Sequence, residues 1–442
     1  MNRSRRMGVV PVAFLAVTGL LAAACGNSNN SSSSGALTAS APGVTAKTIT
    51  IGSHQPLTGI AAPGYDEIAP ASNAYFQYVN AHGGVYGRKI IYKYLNDQYN
   101  SSITTTDVRQ LILQDHVFAI FNGLGTPTHL AVAPFINAEK VPDLFVASGC
   151  ACWDAPSTWP ETFGWQINYI REGKILGAYV ASHFKGKKIA YFYQDDEFGQ
   201  DGVKGLGYEI PAAQVVAKEP YNVAAANPAA EVATLTAALK ASKAQVVIAF
   251  AVPAFMALLR LNELSLGYSP QLVSSDVGSD PITLSGLLDS FAKKSGSFGD
   301  TLIQGTITDS YLPSLGSTSN SWIALFTQIH NQYIPKLPLD GNVLYGMSVA
   351  YTFVQALFKA GRNPTRQDLV NAVNAGLPQG VSVAPFAYSS TDHDGITGAY
   401  IAEVENGVLV PLGPVQVTDT TPTGPVTTYS TPQPAAPASG IP

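Results

Sequence analysis

FAIFNGLGTPTHLAVAPFINAEKVPDLFVASG, residues 118–149, is the stretch from which the fold can be predicted. An apolar run, Val117–Phe121, ends in the polar loop Gly123–Thr128. A helical pattern follows, and a second apolar run, Leu144–Val146, ends at Ser148 and Gly149. This pattern indicates a strand–helix–strand unit with a glycine-bearing loop after each strand. Ligands of doubly wound sheets bind at the carboxyl ends of strands, and the N–H groups of a helix start suit an anion. The unit therefore predicts half of a ligand cleft.

The same alternation of strand and helix continues on both sides of this unit. Before it, a helix is predicted over Ile68–Ala81 and a strand over Lys89–Leu95; after it, strands are predicted at Lys188–Tyr193, Val246–Phe250 and Gln271–Ser274. Alternation of this kind is typical of parallel sheets covered by helices. A chain of 442 residues exceeds one ordinary core. We therefore predict an α/β protein with two doubly wound, Rossmann-like lobes.

The two ends of the chain differ in composition from this body. Residues 1–24 have a basic start, an apolar centre and Ala22–Ala24 before Cys25, as in an export signal peptide. The residues before Cys25 resemble a bacterial lipobox, which implies lipidation of Cys25 and anchoring at the outer face of the cytoplasmic membrane. The alternative is an ordinary signal peptide followed by a chance cysteine. Residues 25–47 and 414–442 are Ser/Asn-rich and Thr/Pro-rich, which predicts a disordered tether and a disordered tail.

Composition and motifs argue against several functional classes. The net charge is −5 and basic residues form no run, so nucleic acid is not expected as a partner. The chain contains no phosphate-binding loop, zinc-protease motif or nucleophile elbow, so we predict no enzyme and no cofactor. A hydrolase on this scaffold would need a nucleophile–base pair that the sequence does not indicate. Scattered histidines argue against a metal site, and Cys150 with Cys152 form either a disulfide or two free thiols.

Several short motifs together carry a resemblance to a known family. The sequence resembles the leucine/isoleucine/valine-binding protein family, type I periplasmic solute-binding proteins of ATP-driven (ABC) importers. The resemblance covers roughly residues 48–413. The motifs that carry it are Pro56–Gly59, Val79–Ile90 (VNAHGGVYGRKI), Asp97, the loop 121–128, Tyr193–Gly199 (YQDDEFG), Leu258–Arg260 and Leu266–Gly267.

The resemblance implies two lobes that close on a ligand about a three-strand hinge. The crossings would lie near 169–172, 300–303 and 385–388. The first lobe would then comprise 48–170 with 302–385, and the second 171–301 with 386–413. The implied function is that of an extracytoplasmic solute-binding lipoprotein, which carries an amino acid or a related small carboxylate or amide to permease subunits. The alternative is a ligand sensor for a receptor or regulatory system.

The resemblance also implies which residues bind the ligand's carboxylate. In the first-lobe loop, the hydroxyl of Thr126 would bind it, helped by the backbone N–H groups of Gly125 and Thr128. The next loop would contribute Ser148, Gly149 and Cys150. The alternative for Thr126 is a helix N-cap, a role that threonine fills readily.

The ammonium end and the walls of the pocket are implied in the same way. Asp276 would accept the ligand's ammonium group, and its alternative role is to cap the following turn. Tyr65 would form part of the wall. Phe198 stands where the family often has a tyrosine, and Ala251 replaces another; Phe198 could instead belong to the core. These two losses predict a larger and less polar pocket, suited to an aromatic or bulky carboxylate or an amide.

Overall fold

The computed structural model describes residues 36–294 and 296–442. The predicted signal peptide and the predicted lipidation site, Cys25, lie outside these residues. Leu37–Pro442 forms a compact unit by itself. Among the helices of the described residues, none is both long enough and apolar enough to span a membrane.

The first lobe is built on a parallel sheet whose strands lie in the order β2-β1-β3-β4-β5. Its first elements, in chain order, are β1 (Thr48–Gln55), α1 (Ile68–Ala81), β2 (Lys89–Asn96), α2 (Ser101–Leu113), β3 (Ile120–Phe121), α3 (Thr126–Leu130), α4 (Ala133–Ala138), β4 (Asp143–Val146) and β5 (Thr162–Gly164).

The second lobe begins after β5 and has a sheet in the order β14-β13-β11-β10-β9-β8-β6-β7, with β12 paired to β11. Its elements up to the return of the chain are α5 (Tyr169–His183), β6 (Ile189–Gln194), α6 (Glu197–Glu209), β7 (Val215–Tyr221), α7 (Pro228–Ala241), β8 (Val246–Phe250), α8 (Pro253–Ser265), β9 (Gln271–Ser274), α9 (Pro281–Ala292), α10 (Phe298–Ile303) and β10 (Ile307–Ser310).

Three helices then return to the first lobe before the chain ends in strands of the second sheet. The helices are α11 (Ser321–Tyr333), α12 (Gly341–Ala360) and α13 (Arg366–Asn374), and the strands are β11 (Gly398–Glu405), β12 (Val408–Pro411), β13 (Gln416–Val417) and β14 (Thr427–Thr428). The predicted α/β fold with two parallel-sheet lobes is confirmed.

One predicted crossing between the lobes is displaced. β10 pairs with β9 and β11 in the second sheet, so residues 302–310 belong to the second lobe. The chain therefore returns to the first lobe after Ser310 and not near 300–303. The apolar pattern of Leu302–Ile307 predicted a strand there, whereas its first half completes α10.

The prediction of a flexible tether is wrong for residues 37–47. Val44 is buried in the core and forms a bridge with Ile49 beside β1. The hydroxyl of Ser40 donates to the carbonyl of Pro364 at 2.8 Å. Gly43 has a φ of 77°, and a Cβ there would lie 2.3 Å from the backbone nitrogen of Phe118. This close approach explains why a polar, glycine-containing segment is held against the sheet.

The prediction of a disordered C-terminal tail is also wrong. β13 and β14 extend the second sheet, and the segment then crosses to helices of the first lobe. There Trp322 donates from Nε1 to the carbonyl of Pro434 at 2.7 Å, and Tyr75 donates from its hydroxyl to the carbonyl of Gly440 at 2.8 Å. The tail is thus a further connection between the lobes, held by side chains that are distant in sequence.

Lys174 of α5 is the main anchor of the tail in the second lobe. Its side chain is fully buried, and its Nζ donates to the carbonyls of Asp419, Thr421 and Gly424 at 3.1, 2.7 and 2.8 Å. Nζ also lies 3.1 Å from Oδ1 of Asp419. Because a buried ammonium must be partnered, the 419–424 turn and Lys174 depend on each other.

We expect Lys174→Met to destabilise the protein by about 1–3 kcal/mol, since several buried oxygen atoms lose their donor. Urea unfolding should report this loss, and limited proteolysis should show faster cleavage within residues 414–442. Lys187→Met is the matched control, because Lys187 is exposed and the substitution removes the same charge. Unchanged protection of the tail in Lys174→Met would contradict the anchoring role.

Candidate functional site

A cavity of about 630 Å³ lies between the two sheets. Its walls are formed by residues that follow the carboxyl ends of strands in both lobes, as expected for open α/β sheets. The first lobe contributes Tyr99 after β2, Thr126 after β3 and Ala147 after β4; the second contributes Val252 after β8, Asp276 after β9 and Tyr311 after β10. Of the predicted ligand-binding residues, the cavity is lined by Tyr65, Gly125, Thr126, Phe198 and Asp276, and not by Thr128, Ser148, Gly149 or Cys150.

The loop between β3 and α3 presents a hydroxyl group rather than free N–H groups. Gly125, with a φ of 103°, precedes the helix as its N-cap, so the alternative of Thr126 as the N-cap is wrong. The N–H of Gly125 already donates to the carbonyl of Ala147 at 3.2 Å. The hydroxyl of Thr128 donates to the carbonyl of Leu124 at 2.6 Å and is buried away from the cavity. The N–H of Gly125 is therefore not free as predicted, and Thr128, whose N–H is the other predicted donor, does not line the cavity.

The hydroxyl of Thr126 lies 2.7 Å from that of Ser148, so the two predicted loops are joined here. Ser148 also accepts from the N–H of Cys150 at 3.2 Å, and its side chain lies behind Thr126. Gly149 packs against the start of α5, where a Cβ would lie 2.2 Å from the carbonyl of Ile167. These contacts leave Thr126 as the hydroxyl of this pair that faces the cavity.

The two cysteines after β4 are bonded to each other in the structure, with Cα atoms 5.1 Å apart. Cys150 is buried and packs with Val146, Ala133 and Trp153 in a small cluster beside the first sheet. Its position is outside the cavity lining, so it supports the loop that carries Ser148 and does not form the wall.

A chain of buried hydrogen bonds lies beneath this loop. His54 Nδ1 lies 2.8 Å from Asp97 Oδ2, His54 Nε2 lies 2.9 Å from His129 Nδ1, and His129 Nε2 lies 2.8 Å from Asp143 Oδ2. Burial lowers the pKa of His54, and the hydrogen bond to Asp97 acts in the opposite direction. A Cβ at Gly123 would lie 2.5 Å from His54 Nε2, which explains the glycine at that position.

Two aromatic residues form opposite walls of the cavity. Tyr65 of the first lobe donates from its hydroxyl to the carbonyl of Val277 in the second lobe at 2.8 Å. Phe198 packs against Tyr169, with ring centroids 4.6 Å apart, and also lines the cavity. Phe198 is therefore both a core residue and a wall residue, so its two alternatives do not exclude each other.

Asp276 belongs to a group of three carboxyl groups, with Glu172 of α5 and Asp309 of β10. One oxygen of each lies within 4.8 Å of the others. The N-cap of the short turn Asp276–Gly278 is Ser275, which makes no side-chain capping bond, and the Asp276 carboxyl group contacts Tyr311, Glu172 and the N–H of Val277. Burial and mutual repulsion raise the pKa of Glu172 and of Asp309 well above the usual range, and burial raises the pKa of Asp276 to about 6.

Glu172 and Asp309 were missed by the sequence analysis. Asp309 lies near the end of a strand, so the rule that ligands bind at the carboxyl ends of strands could have indicated it had the strand been placed over Ile307–Ser310. Glu172 sits in the first turn of a helix, where acidic residues are ordinary, and nothing in its local sequence distinguishes it.

The helix starts of α9 and α12 meet across the opening of the cavity and exchange hydrogen bonds. Asp280, the N-cap of α9, accepts from the N–H of Gly341 in α12 at 2.8 Å. Asp340, the N-cap of α12, accepts from the hydroxyl of Thr283 in α9 at 3.1 Å. Glu67 of the first lobe lies beside Asp340. Together with the Tyr65 contact, these bonds hold the lobes in a closed arrangement.

The comparisons with known proteins agree with this geometry. A family model described as periplasmic binding protein matches residues 48–408, so the chain belongs to the periplasmic binding protein family, of type I. This family consists of extracytoplasmic proteins that bind small molecules and typically work with ABC permeases. The predicted family resemblance is confirmed. A comparison with curated protein sequences finds no matching relative.

Solved structures show the same fold at low sequence identity. A branched-chain amino acid ABC transporter protein from Thermus thermophilus with bound valine is 19% identical, with a TM-score of 0.70 over 85% of this chain and 97% of that chain. A fatty acid ABC transporter substrate-binding protein from Thermomonospora curvata is 24% identical, with a TM-score of 0.68 over 84% and 93%. A leucine/isoleucine/valine-binding protein candidate from Rhodopirellula baltica is 18% identical, with a TM-score of 0.69 over 83% and 96%.

We expect the ligand-free closed form to be favoured by acid. Burial and the neighbouring Asp340 raise the pKa of Glu67 to about 9, with Asp66 and Asp280 adding to the shift. A carboxyl group with a raised pKa binds its proton more tightly in the closed form. Asp340 and Asp66 lie in the same lobe as Glu67, so only burial by the second lobe and repulsion by Asp280 make the closed form bind the proton more tightly. This contribution to closure is lost as the pH rises through about 9.

Small-angle X-ray scattering between pH 5 and pH 9 should show a radius of gyration that grows with pH. Glu67→Gln should reduce this dependence, whereas Glu197→Gln, at an exposed position on α6, should leave it unchanged. A radius that is independent of pH in the unmodified protein would contradict the expectation.

Proposed function

We propose that this protein is the solute-binding component of an ABC importer and that it binds an amino acid or a related small carboxylate or amide by closure of its two lobes. The observation that carries the proposal is the cavity of about 630 Å³, walled by strand ends of both lobes. Its volume is within the range of about 300–1,000 Å³ that is typical of small-molecule sites. No covalent chemistry is part of the proposal.

The proposed contacts combine groups from both lobes. In the first lobe, the hydroxyl of Thr126 and the ring of Tyr65 face the cavity; in the second, Asp276 and Phe198 do so. A ligand that contacts both sets stabilises the closed form, because those contacts are absent when the lobes separate. The prediction of N–H donation by Gly125 is not carried into this proposal, since that group is already bonded.

The proposed location follows from the sequence features before the body. Cleavage before Cys25 and lipidation of its thiol would anchor the protein at the outer face of the cytoplasmic membrane, where permease subunits would receive the ligand. A ligand-sensing role would use the same cleft and the same closure, and would differ only in the protein that recognises the closed form. Labelling with a radioactive fatty acid, lost in Cys25→Ser, tests the anchor.

A thermal-shift screen of the purified protein against amino acids, amides, aromatic acids and sugars should identify stabilising ligands. Ligand at about a hundred times its Kd adds about 2.7 kcal/mol to the free energy of unfolding. A hit should also be recovered unchanged after incubation, as expected for binding without turnover. Absence of any stabilising solute across the panel would contradict the proposal.

Tyr65→Phe should weaken binding of such a hit by about five- to tenfold, because the hydroxyl no longer donates to Val277 across the cleft and one hydrogen bond contributes about 1 kcal/mol. Isothermal titration calorimetry measures this change. Tyr208→Phe on α6, outside the cavity lining, is the matched control and should bind normally. Equal affinity in the two variants would show that the Tyr65 contact does not contribute to closure.

A further inference from the structure

The charged side chains of the cavity are all of one sign. Among the described residues that line it, Asp276, Asp280 and Asp309 are acidic, and none is Lys, Arg or His. Asp280 is fully used, since its two oxygens accept from the N–H groups of Thr283 and Gly341, each at 2.8 Å. In Asp276 and Asp309, by contrast, at least one carboxyl oxygen has no hydrogen-bond donor among the described residues.

Asp309 is a buried carboxyl group that lacks a donor. Its side chain is fully buried, it lines the cavity, and neither of its oxygens has a hydrogen-bond partner among the described residues. The same holds for Oε2 of Glu172 and Oδ1 of Asp276. The other oxygen of Glu172, Oε1, accepts from the N–H of Asp276 at 2.9 Å, which fixes the carboxyl group beside Asp276.

The cations nearest in sequence are committed elsewhere. Arg171 precedes Glu172 but pairs with Asp394, with Nη2 and Oδ2 3.3 Å apart. Lys174 is held by the 419–424 turn. Unpartnered carboxyl oxygens in a buried site are costly, and a buried negative charge requires a positive partner. No cationic side chain among the described residues belongs to this group, so its charge is either removed by protons or balanced by a cationic ligand.

The other residues that line the cavity indicate the chemistry of the rest of the ligand. Next to the carboxyl groups stand the rings of Tyr169, Tyr311 and Tyr345, whose faces attract cations. Farther along, the wall is aliphatic, with residues that include Leu312, Ile323, Leu344 and Leu409. A free carboxylate on the ligand would meet no cationic side chain among these described residues, whereas an amine would meet several carboxyl groups.

We propose that the cleft selects an organic cation, a molecule with an amine or ammonium group on a bulky apolar body and without a free carboxylate, whose nitrogen is held by Asp276 and Asp309, with an oxygen of Glu172 within 4.8 Å of both. This inference rests on the proposed solute-binding function and narrows its ligand class. It adds Asp309 to the proposed ligand contacts, keeps those amides of the earlier range that carry an amine, and excludes simple carboxylates.

Binding of such a cation should release protons. Burial and repulsion raise the pKa of Glu172 and Asp309, which favours their protonated forms when no cation is bound. The groups that face them are Asp276, Tyr169, Tyr311 and Tyr400, and none of these supplies a positive charge. An ammonium favours the ionised carboxylates. Calorimetry at pH 7 in buffers of different ionisation enthalpy should therefore detect proton release.

Two matched pairs of probes test the selection. L-phenylalaninamide and L-phenylalanine share a ring and an amine and differ in the free carboxylate; 4-phenylbutylamine and 4-phenylbutyric acid share the apolar body and differ in the charged group. We expect the amide and the amine to raise the melting temperature and to release protons, and we expect the two carboxylates to do neither.

Asp309→Asn separates a ligand-binding role from a structural one. It should raise the melting temperature of the empty protein, because a buried unpaired acid is removed, and it should weaken amine binding by about tenfold or more. Asp394→Asn is the matched control, since Asp394 is equally buried but pairs with Arg171. That substitution should lower stability and leave amine affinity unchanged.

The other outcomes are also informative. Binding of the carboxylates in preference to the amines would overturn the inference and leave the solute-binding function standing. Stabilisation by Ca²⁺ or Mn²⁺ alone, lost in Asp309→Asn, would overturn it in favour of a metal site. If neither the four probes nor the broad solute panel stabilises the protein, the proposed function itself fails. Hits in that panel that carry no amine would overturn only the proposed selection of an organic cation and would leave the solute-binding function standing.

Discussion

Two groups of carboxyl side chains near the cavity have no cationic side chain among the described residues to neutralise them. At the opening of the cavity, Glu67 and Asp340 of one lobe meet Asp280 of the other, and inside it Glu172, Asp276 and Asp309 form a second group. Repulsion between like charges in a buried site must be relieved by protons or by a bound cation. The equilibrium between open and closed lobes, and the choice of ligand, both depend on this constraint.

The two lobes differ in the partners of their buried carboxyl groups. In the first lobe, the chain of contacts from Asp97 through His54 and His129 to Asp143 is complete. This chain holds the loop that carries Thr126 in one position, so that wall is formed before any ligand arrives. In the second lobe, the carboxyl oxygens of Asp309 remain without partners. The complete chain of hydrogen bonds thus supports the first-lobe wall of the cavity. The second-lobe wall instead contains carboxyl groups that have no positive partner among the described residues.

The C-terminal tail adds a connection that lies beyond the matched family region of residues 48–408. It is fixed to the second lobe through Lys174 and to the first through Trp322 and Tyr75. Opening of the cleft must therefore be compatible with a strap that spans both lobes, in addition to the three hinge crossings. Because each anchor is a hydrogen bond to a backbone carbonyl, the strap depends on local geometry more than on the identity of the tail residues.

The sequence by itself determined the elements and their order, since the 3.6-residue and two-residue periods are local: α1 was predicted as it is found, over Ile68–Ala81. The family resemblance in the sequence also indicated Thr126 and Asp276, both of which line the cavity after strands. Only the tertiary structure decided which of their groups are free. Gly125 loses its N–H to Ala147, and Glu172 joins Asp309 from 137 residues away. The tail, too, is ordered by side chains distant in sequence, which its own Thr/Pro-rich composition does not reveal.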